Sequence, residues 1–303
     1  TLVANDEYFN APTFHWTQRR LGLEHVRMRG VNRRLSELSE FVLLKDPRIG
    51  PAGVISGLPE AAAVIRDQTS WFNTAYEEVA RWPLPDGCTA TLFRQRRGLK
   101  KPFKDKTLVY QVFNAGKVEL TGLKARFGAW DEARSAYKSV TVSAKQADIR
   151  GLITVGPELE LEGVGFVPVF ADSSPSGWVD LRVLRLDRLR VKSLDVGSEE
   201  LMLFLNERVK GLVVSDIILE KTVRIVGTYK GRSVSAEAGI DLLDSPRRIK
   251  IDILSAKIAG VSIPLSMFRE IKELIIPLYP NPETPFIIDL PSLTIKNGRL
   301  TVP

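Results

Sequence analysis

Hydrophobic residues follow two periods along the chain, helical near its start and strand-like beyond about residue 107. Over 58–82, Leu58, Ala62, Ile65, Thr69, Phe72, Tyr76 and Val79 recur at steps of three and four. One stripe at that spacing predicts a single amphipathic helix. Pro59 suits its first turn, and "WPLPDG" at 82–87 stops it. At about 1.5 Å per residue such a helix is roughly 36 Å long and needs a long partner surface; the plain expectation is a core helix laid on a sheet. Upstream, Val31, Leu35, Leu38 and Val42 also keep helical spacing, among Arg27, Arg29, Arg33 and Arg34, whereas "DPRIGPAGVISGLP" at 46–59 keeps no period.

From 107 to 303 the period becomes two. Val118/Leu120, Val140/Val142/Ala144 and Leu159/Leu161 alternate with polar residues, as do Val234 through Leu242 and Ile249, Ile251 and Ile253. These predict long, half-buried antiparallel strands. In "GWVDLRVLRLDRLRVKSLDV" (177–196) the alternation slips near Val183-Leu184 and again near Leu189, which predicts bulges and strong curvature. Two helices interrupt the strands. "SEELMLFLNERV" (198–209) opens on Ser198, with Glu199 and Glu200 in its positive first turn and Leu201, Leu205 and Val209 on one stripe. "PLSMFREIKELIIPLY" (264–279) lies between Pro264 and Pro277, with Met267, Ile271, Leu274 and Ile275 facing one way and Phe268 and Leu278 widening the surface. That is more apolar contour than a helix on a wet-backed sheet requires, so it is deeply buried or borders an apolar cavity. Near the end, Asn297-Gly298 between Leu293/Ile295 and Leu300/Val302 predicts a hairpin, because a type I′ turn needs positive φ at both central residues.

Composition narrows the chemistry. The 303 residues suffice for one large domain or two ordinary ones, and no apolar run approaches the roughly 18 residues that span a bilayer. The chain opens at Thr1 without a charged-then-apolar leader pattern, and the sequence leaves open whether a segment preceded it. One cysteine, Cys88, excludes an internal disulfide and a cysteine-cluster metal site, and only His15 and His25 are available to histidine chemistry. There is no P-loop, G-x-G-x-x-G, G-x-S-x-G, C-x-x-C or H-E-x-x-H; Gly163 and Gly165 in "EGVGF" lack the third glycine and the helix that a dinucleotide site needs. Asp131-Glu132 and Glu199-Glu200 are adjacent in sequence, so they read as surface or cap residues. Charge is uneven: residues 1–117 carry 18 Lys and Arg against 12 Asp and Glu, +6 of the net +7. The basic run "RQRRGLKKPFKDK" (94–106) is the densest part. Its plain reading is a solvated loop. Its sharper reading is a surface for anionic headgroups, built from Arg94, Arg96, Arg97, Lys100, Lys101 and Lys104, with Leu99 and Phe103 interleaved as at a membrane interface. It lacks the aromatic platform of a nucleic-acid module, so no nucleic acid is expected.

The succession of strand, "VKSLDVGSEELMLFLNERV", long meander, apolar segment and terminal "DLPSLTIKNGRLTVP" resembles the LmeA-like phospholipid-binding family. Leu290, Pro291, Gly298, Leu300 and Val302 fit that family's ending. The resemblance covers about 118–303; residues 1–117 depart from the pattern, apart from the long amphipathic helix. What it implies is an α+β fold, a long, strongly curved antiparallel sheet wrapped around helices, similar to tubular lipid-binding modules, with a helical N-terminal region before it. The expected division is an extension over 1–57, the helix and basic loop over 58–117, and the sheet domain over 118–303. The implied activity is non-catalytic phospholipid binding or transfer, with phospholipid or another amphipathic lipid and a peripheral membrane surface as partners. No cofactor other than bound phospholipid is expected, no metal site, and a place in a cell envelope or plastid. The groove lining would be Leu201, Leu205, Met267, Phe268, Ile271, Leu274, Ile275, Phe286 and Ile288.

The residues agree with this independently, because a bent antiparallel sheet with over-apolar helices leaves a dry cleft. Two rivals stand beside it. A structural or assembly subunit would use the same apolar helix to dock a protein complex at a membrane. An enzyme would need buried carboxylates or a placed histidine in a pocket.

Overall fold

Tyr76–Pro83 pairs with Thr89–Gln95 across the "LPDG" turn, with a register shift between Glu78 and Ala80. The computed structural model describes all residues except 24, 27, 29, 31–37, 52–57, 116–117, 150, 171–178, 209, 246, 265–272, 282–283 and 303. The described residues form three sheets, antiparallel apart from two short parallel pairings, and few helices, a sheet-rich α+β fold. The first sheet holds β1 (Leu2–Val3), β2 (Phe41–Asp46), β3 (Tyr76–Pro83) and β4 (Thr89–Gln95) in the order β1-β2-β4-β3. It is accompanied by α1 (Ala11–Arg20), α2 (Leu58–Arg66) and α3 (Trp71–Ala75).

The expected helix over 58–82 is therefore two short helices and a strand. Asp67 breaks it: its carboxylate accepts from the backbone N–H and the hydroxyl of Thr69, and the Asn73 amide donates to the carbonyls of Ile65 and Asp67. Side chains that satisfy the backbone locally compete with the helical ladder. Leu58, Ala61, Ala62, Ile65, Phe72 and Tyr76 still share one core, with Val3, Val42 and Leu44 of the sheet. Of the upstream apolar positions expected to be helical, Val31 and Leu35 lie outside the described residues, Leu38 takes a left-handed φ of 62° and Val42 is buried in β2.

The second sheet starts at β5 (Thr107–Ala115), upstream of the expected start at 118. It continues through β6 (Val118–Phe127), β7 (Trp130–Asp131), β8 (Ala136–Ser143), β9 (Gln146–Ile149), β10 (Leu152–Phe170), β11 (Val179–Arg185) and β12 (Arg188–Gly197). The expected slip near Val183-Leu184 is a register shift that leaves Leu184 of β11 unpaired between Gly165 and Phe166. The one near Leu189 is instead the break between β11 and β12 at Leu186-Asp187, and β10 and β12 shift register at Val155/Glu158 and Glu158/Leu159. One face of β10 carries Glu160 and Glu162 opposite Arg190 and Arg188 of β12, opposite charges set directly across the ladder. The other face packs Tyr137, Val140, Phe127, Val164 and Phe166 into an aromatic core. Val167 and Leu184 from the β10–β11 pair enter the core of the first sheet and tie the two together.

α4 (Ser198–Arg208) leads into the third sheet, made of β13 (Leu212–Leu219), β14 (Val223–Tyr229), β15 (Arg232–Asp244), β16 (Arg247–Ile258), β17 (Val261–Ser262) and β18 (Glu273–Pro277). The chain then returns to the second sheet through β19 (Ile287–Asp289), parallel to β12, and the hairpin of β20 (Thr294–Lys296) and β21 (Arg299–Val302). Asn297 and Gly298 take φ of 52° and 70°, the left-handed pair that the turn requires.

Candidate functional site

In the third sheet the alternation of β15 and β16 gathers one apolar face. Ala238, Ile240 and Leu242 sit opposite Ile253, Ile251 and Ile249, and β14 continues the face with Val223 and Ile225. Two clusters cover parts of it. At one, Leu201, Met202 and Leu205 of α4 pack on Val214, Ile217, Leu219 and Val223, and Asn206 clamps the β13 bulge by accepting from the Val214 N–H at 2.6 Å. At the other, Leu242 and Ile249 meet Val191 and Leu194 of β12, with Leu278, Ile288, Leu290 and Val302. Ile240 belongs to the first cluster and Leu242 to the second, so the two meet on β15; the rest of the face, Val234, Ala236, Ala238, Ile251 and Ile253, is only half-buried and belongs to neither. Neither β15 nor β16 holds a fully buried residue. The middle of this sheet presents an open apolar strip.

The residues expected to line a groove divide around this strip. Leu201 and Leu205 are in the first cluster and Ile288 in the second, and Phe286 is half-buried just before β19. Met267, Phe268 and Ile271 lie outside the described residues. Leu274 and Ile275 are on a strand, where adjacent side chains take opposite faces. Leu274 sits opposite Ile251 and extends the apolar strip; Ile275 sits opposite Lys250 on the charged face. The expected helix over 264–279 is corrected accordingly over its described end: Ile275-Ile276 is a β-branched pair that suits a ladder, and Pro277 occupies the strand's last position. Leu274, Ile275 and Ile276 remain 55%, 44% and 40% exposed, on an edge with no further strand among the described residues.

The basic run leaves β4 at Arg94. Arg94 donates to Glu77 across the β3–β4 ladder at 2.8 Å, and Arg96 stands 3.6 Å from the same carboxylate. The hydrogen bond from Arg94 holds the Glu77 carboxyl below its ordinary range. Arg97, Lys100, Lys101 and Lys104 are exposed, and Lys101 lies 6.0 Å from the ring centroid of Tyr137. The interleaved apolar residues do not form a membrane-facing edge. Phe103 packs against Phe127 and Phe166, and Leu99 against the core of the first sheet. They pin the loop down and turn its charges outward. On one side of the loop a cavity of about 340 Å³ is lined by arginines, among them Arg134 and Arg185. On the other side one of about 410 Å³ is mostly apolar, with Trp71, Leu99, Phe166 and Pro168 at its wall and Lys100 and Lys101 at its rim. Arg134 escaped the sequence reading because it stands among acidic residues, and Arg185 because its stretch shows as a strand by its alternation and not as a basic run.

His15 and His25 are both exposed, and His15 Nε2 is within hydrogen-bond distance, 2.7 Å, of the Met28 carbonyl. Cys88 is buried. Among the described residues the buried polar side chains are Ser39, Lys45, Thr91, Ser135 and Thr154, no cluster of His, Cys, Asp or Glu could hold a metal ion, and no helix is long and apolar enough to cross a membrane. In the comparisons with known proteins, no family model, curated protein or solved structure matches the chain.

Proposed function

We propose that the chain is a non-catalytic lipid-binding or lipid-transfer protein working at a membrane surface, with a curved sheet and acyl groove of the kind the LmeA-like resemblance implies. The observation that carries the reading is the apolar strip of β15 and β16 that is left half-exposed beside the two clusters covering the rest of this face. Each acyl CH₂ moved from water onto such a surface is worth about 0.8 kcal/mol. The outward-turned lysines and arginines of 96–104 add about 1 kcal/mol each near an anionic bilayer. Native mass spectrometry of the purified chain is expected to show co-purifying phospholipid. A lipid-free chain that also ignores liposomes would sink the reading.

One observation favours a second reading. β18 is an open edge with three exposed apolar residues in a row, and such edges pair with other chains. An assembly subunit docking a membrane-associated complex through this edge would crosslink to that complex in its native source and carry no lipid.

A further inference from the structure

We propose that the arginine-lined cavity beside the basic loop binds an anionic phosphate group. Arginines from three separate stretches converge there: Arg94, Arg96 and Arg97 from the end of β4, Arg134 from the β7–β8 turn and Arg185 from the end of β11. Their carboxylate partners are shared. Glu77 serves Arg94 at 2.8 Å and Arg96 at 3.6 Å, while Asp187 serves Arg134 at 2.6 Å and Arg185 at 3.2 Å. Arg97 has no ion pair or hydrogen bond among the described residues, and Arg94 Nε is a buried donor without an acceptor. With Glu40 also at the wall, five guanidinium groups face three carboxylates, a surplus of two positive charges. A phosphate monoester carries about −1.5 to −2 near neutral pH, and the planar guanidinium fork fits its oxygens two at a time.

The walls are fixed by backbone. Leu38 N–H donates to the Val183 carbonyl at 2.9 Å, Gln95 N–H to the Glu40 carbonyl at 2.9 Å, and Leu99 N–H to Ser135 Oγ at 2.8 Å. The glycines of "EGVGF" make the close approach possible. A Cβ on Gly163, at a φ of +62°, would stand 2.0 Å from the Asp187 carboxylate, and one on Gly165 would stand 2.6 Å from the Ser135 carbonyl. Side chains there would push Asp187 and the Arg134 turn out of the wall. At about 340 Å³ the cavity has room for a phosphate and a small ester group.

The inference leans on the lipid reading only for one source of phosphate, a phospholipid headgroup; the other source is free phosphate or a soluble phosphoester. The test is a ³¹P NMR titration of the full chain with inorganic phosphate and with glycerol 1-phosphate at constant ionic strength. It is paired with flotation on vesicles of phosphatidylcholine alone or with phosphatidic acid. Arg97→Glu is the first variant because Arg97 anchors nothing, and an unchanged melting temperature confirms its fold; Arg185→Gln is the second. Saturable binding of a soluble phosphate is expected, weakened about tenfold or more by Arg97→Glu. Binding of both soluble phosphates without preference for phosphatidic acid assigns the site to free phosphate. Glycerol phosphate binding with flotation on phosphatidic acid that Arg97→Glu abolishes assigns it to a headgroup. No saturable binding of either soluble phosphate overturns the site even if vesicles float, as does binding that both variants leave unchanged. Phosphate binding by a chain that takes up no lipid would leave this site standing and remove the lipid reading; lipid uptake without phosphate binding would do the reverse.

Discussion

Lys45 is a charged side chain only 3% exposed, held in β2 between two carboxylates. It donates to Asp6 and lies 2.7 Å from Asp86, which also accepts from Arg48 at 2.8 Å. The hydrogen bond from Lys45 is the main reason both carboxyls sit below their ordinary range. For Lys45, burial disfavours the ammonium, but its bonds to Asp6 and Asp86 outweigh this and raise its pKa. The signs follow by linkage. Stability from the two carboxylates is complete above about pH 4 and is lost as pH falls through their lowered folded values; stability from Lys45 is present below about pH 10 and is lost as pH rises through its raised one. Urea midpoints of the wild type should therefore fall from about pH 4 downward. Lys45→Met should start from a lower midpoint at neutral pH and show a shallower acid decline, because it leaves the aspartates without the bond that lowers them. Parallel acid limbs in the two proteins would show that the cluster does not couple to folding. None of this was legible in the sequence, since Asp6 and Asp86 stand far from Lys45 along the chain and nothing in a linear pattern reports their convergence.

Elements whose cause is local were legible and those settled by tertiary pairing were not. The Asn297-Gly298 turn and α4 carry their reasons within a few residues, a left-handed dipeptide and an acidic first turn. The long strands β15 and β16 show in their alternation. Residues 58–82 satisfy a helical stripe, yet Asp67 and Asn73 interrupt it and the edge of β4 claims Tyr76–Pro83 as a strand. Residues 273–277 satisfy a helical stripe too, and β16 claims them. This second difference is decisive for the site. A helix would put Leu274 and Ile275 on one surface, whereas the strand sends Leu274 to the apolar strip and Ile275 to the Lys250 face. If the strip holds acyl chains, Leu274→Asp should cut lipid uptake about tenfold or more, the worth of one apolar side chain. Ile275→Lys should leave uptake near the wild-type level. Both read out in a fluorescent-lipid displacement titration. Equal losses in the two variants would place the lipid elsewhere.

On the scale of the whole molecule, the last strands contribute to the contact between the second and third sheets. β21 pairs with β12 from Leu194↔Val302 to Gly197↔Arg299, and Arg299 binds Asp195 and approaches Glu200 of α4 at 3.6 Å. Val302 is 2% and Leu290 6% exposed, and both sit in the cluster that joins β12 to Leu242 and Ile249. Ile295 of β20 reaches the other cluster, beneath α4. Removing 290–303 thus strips one member or more from both clusters. Two fully buried aliphatic side chains alone are worth about 3–6 kcal/mol, against a net stability of about 5–15 kcal/mol for a typical domain. The cut also bares the β12 edge and leaves Arg247, whose guanidinium donates to the Leu290 carbonyl, without that acceptor. A chain ending at Asp289 should lose its cooperative urea transition in the sheet-rich region and, if the strip holds acyl chains, lose lipid uptake with it, followed by circular dichroism and by the same displacement titration. The milder Gly298→Ala, which strains only the turn, should cost about 1 kcal/mol and keep uptake. If the truncated chain unfolds cooperatively near the wild-type midpoint, the closing hairpin is not what joins the two sheets.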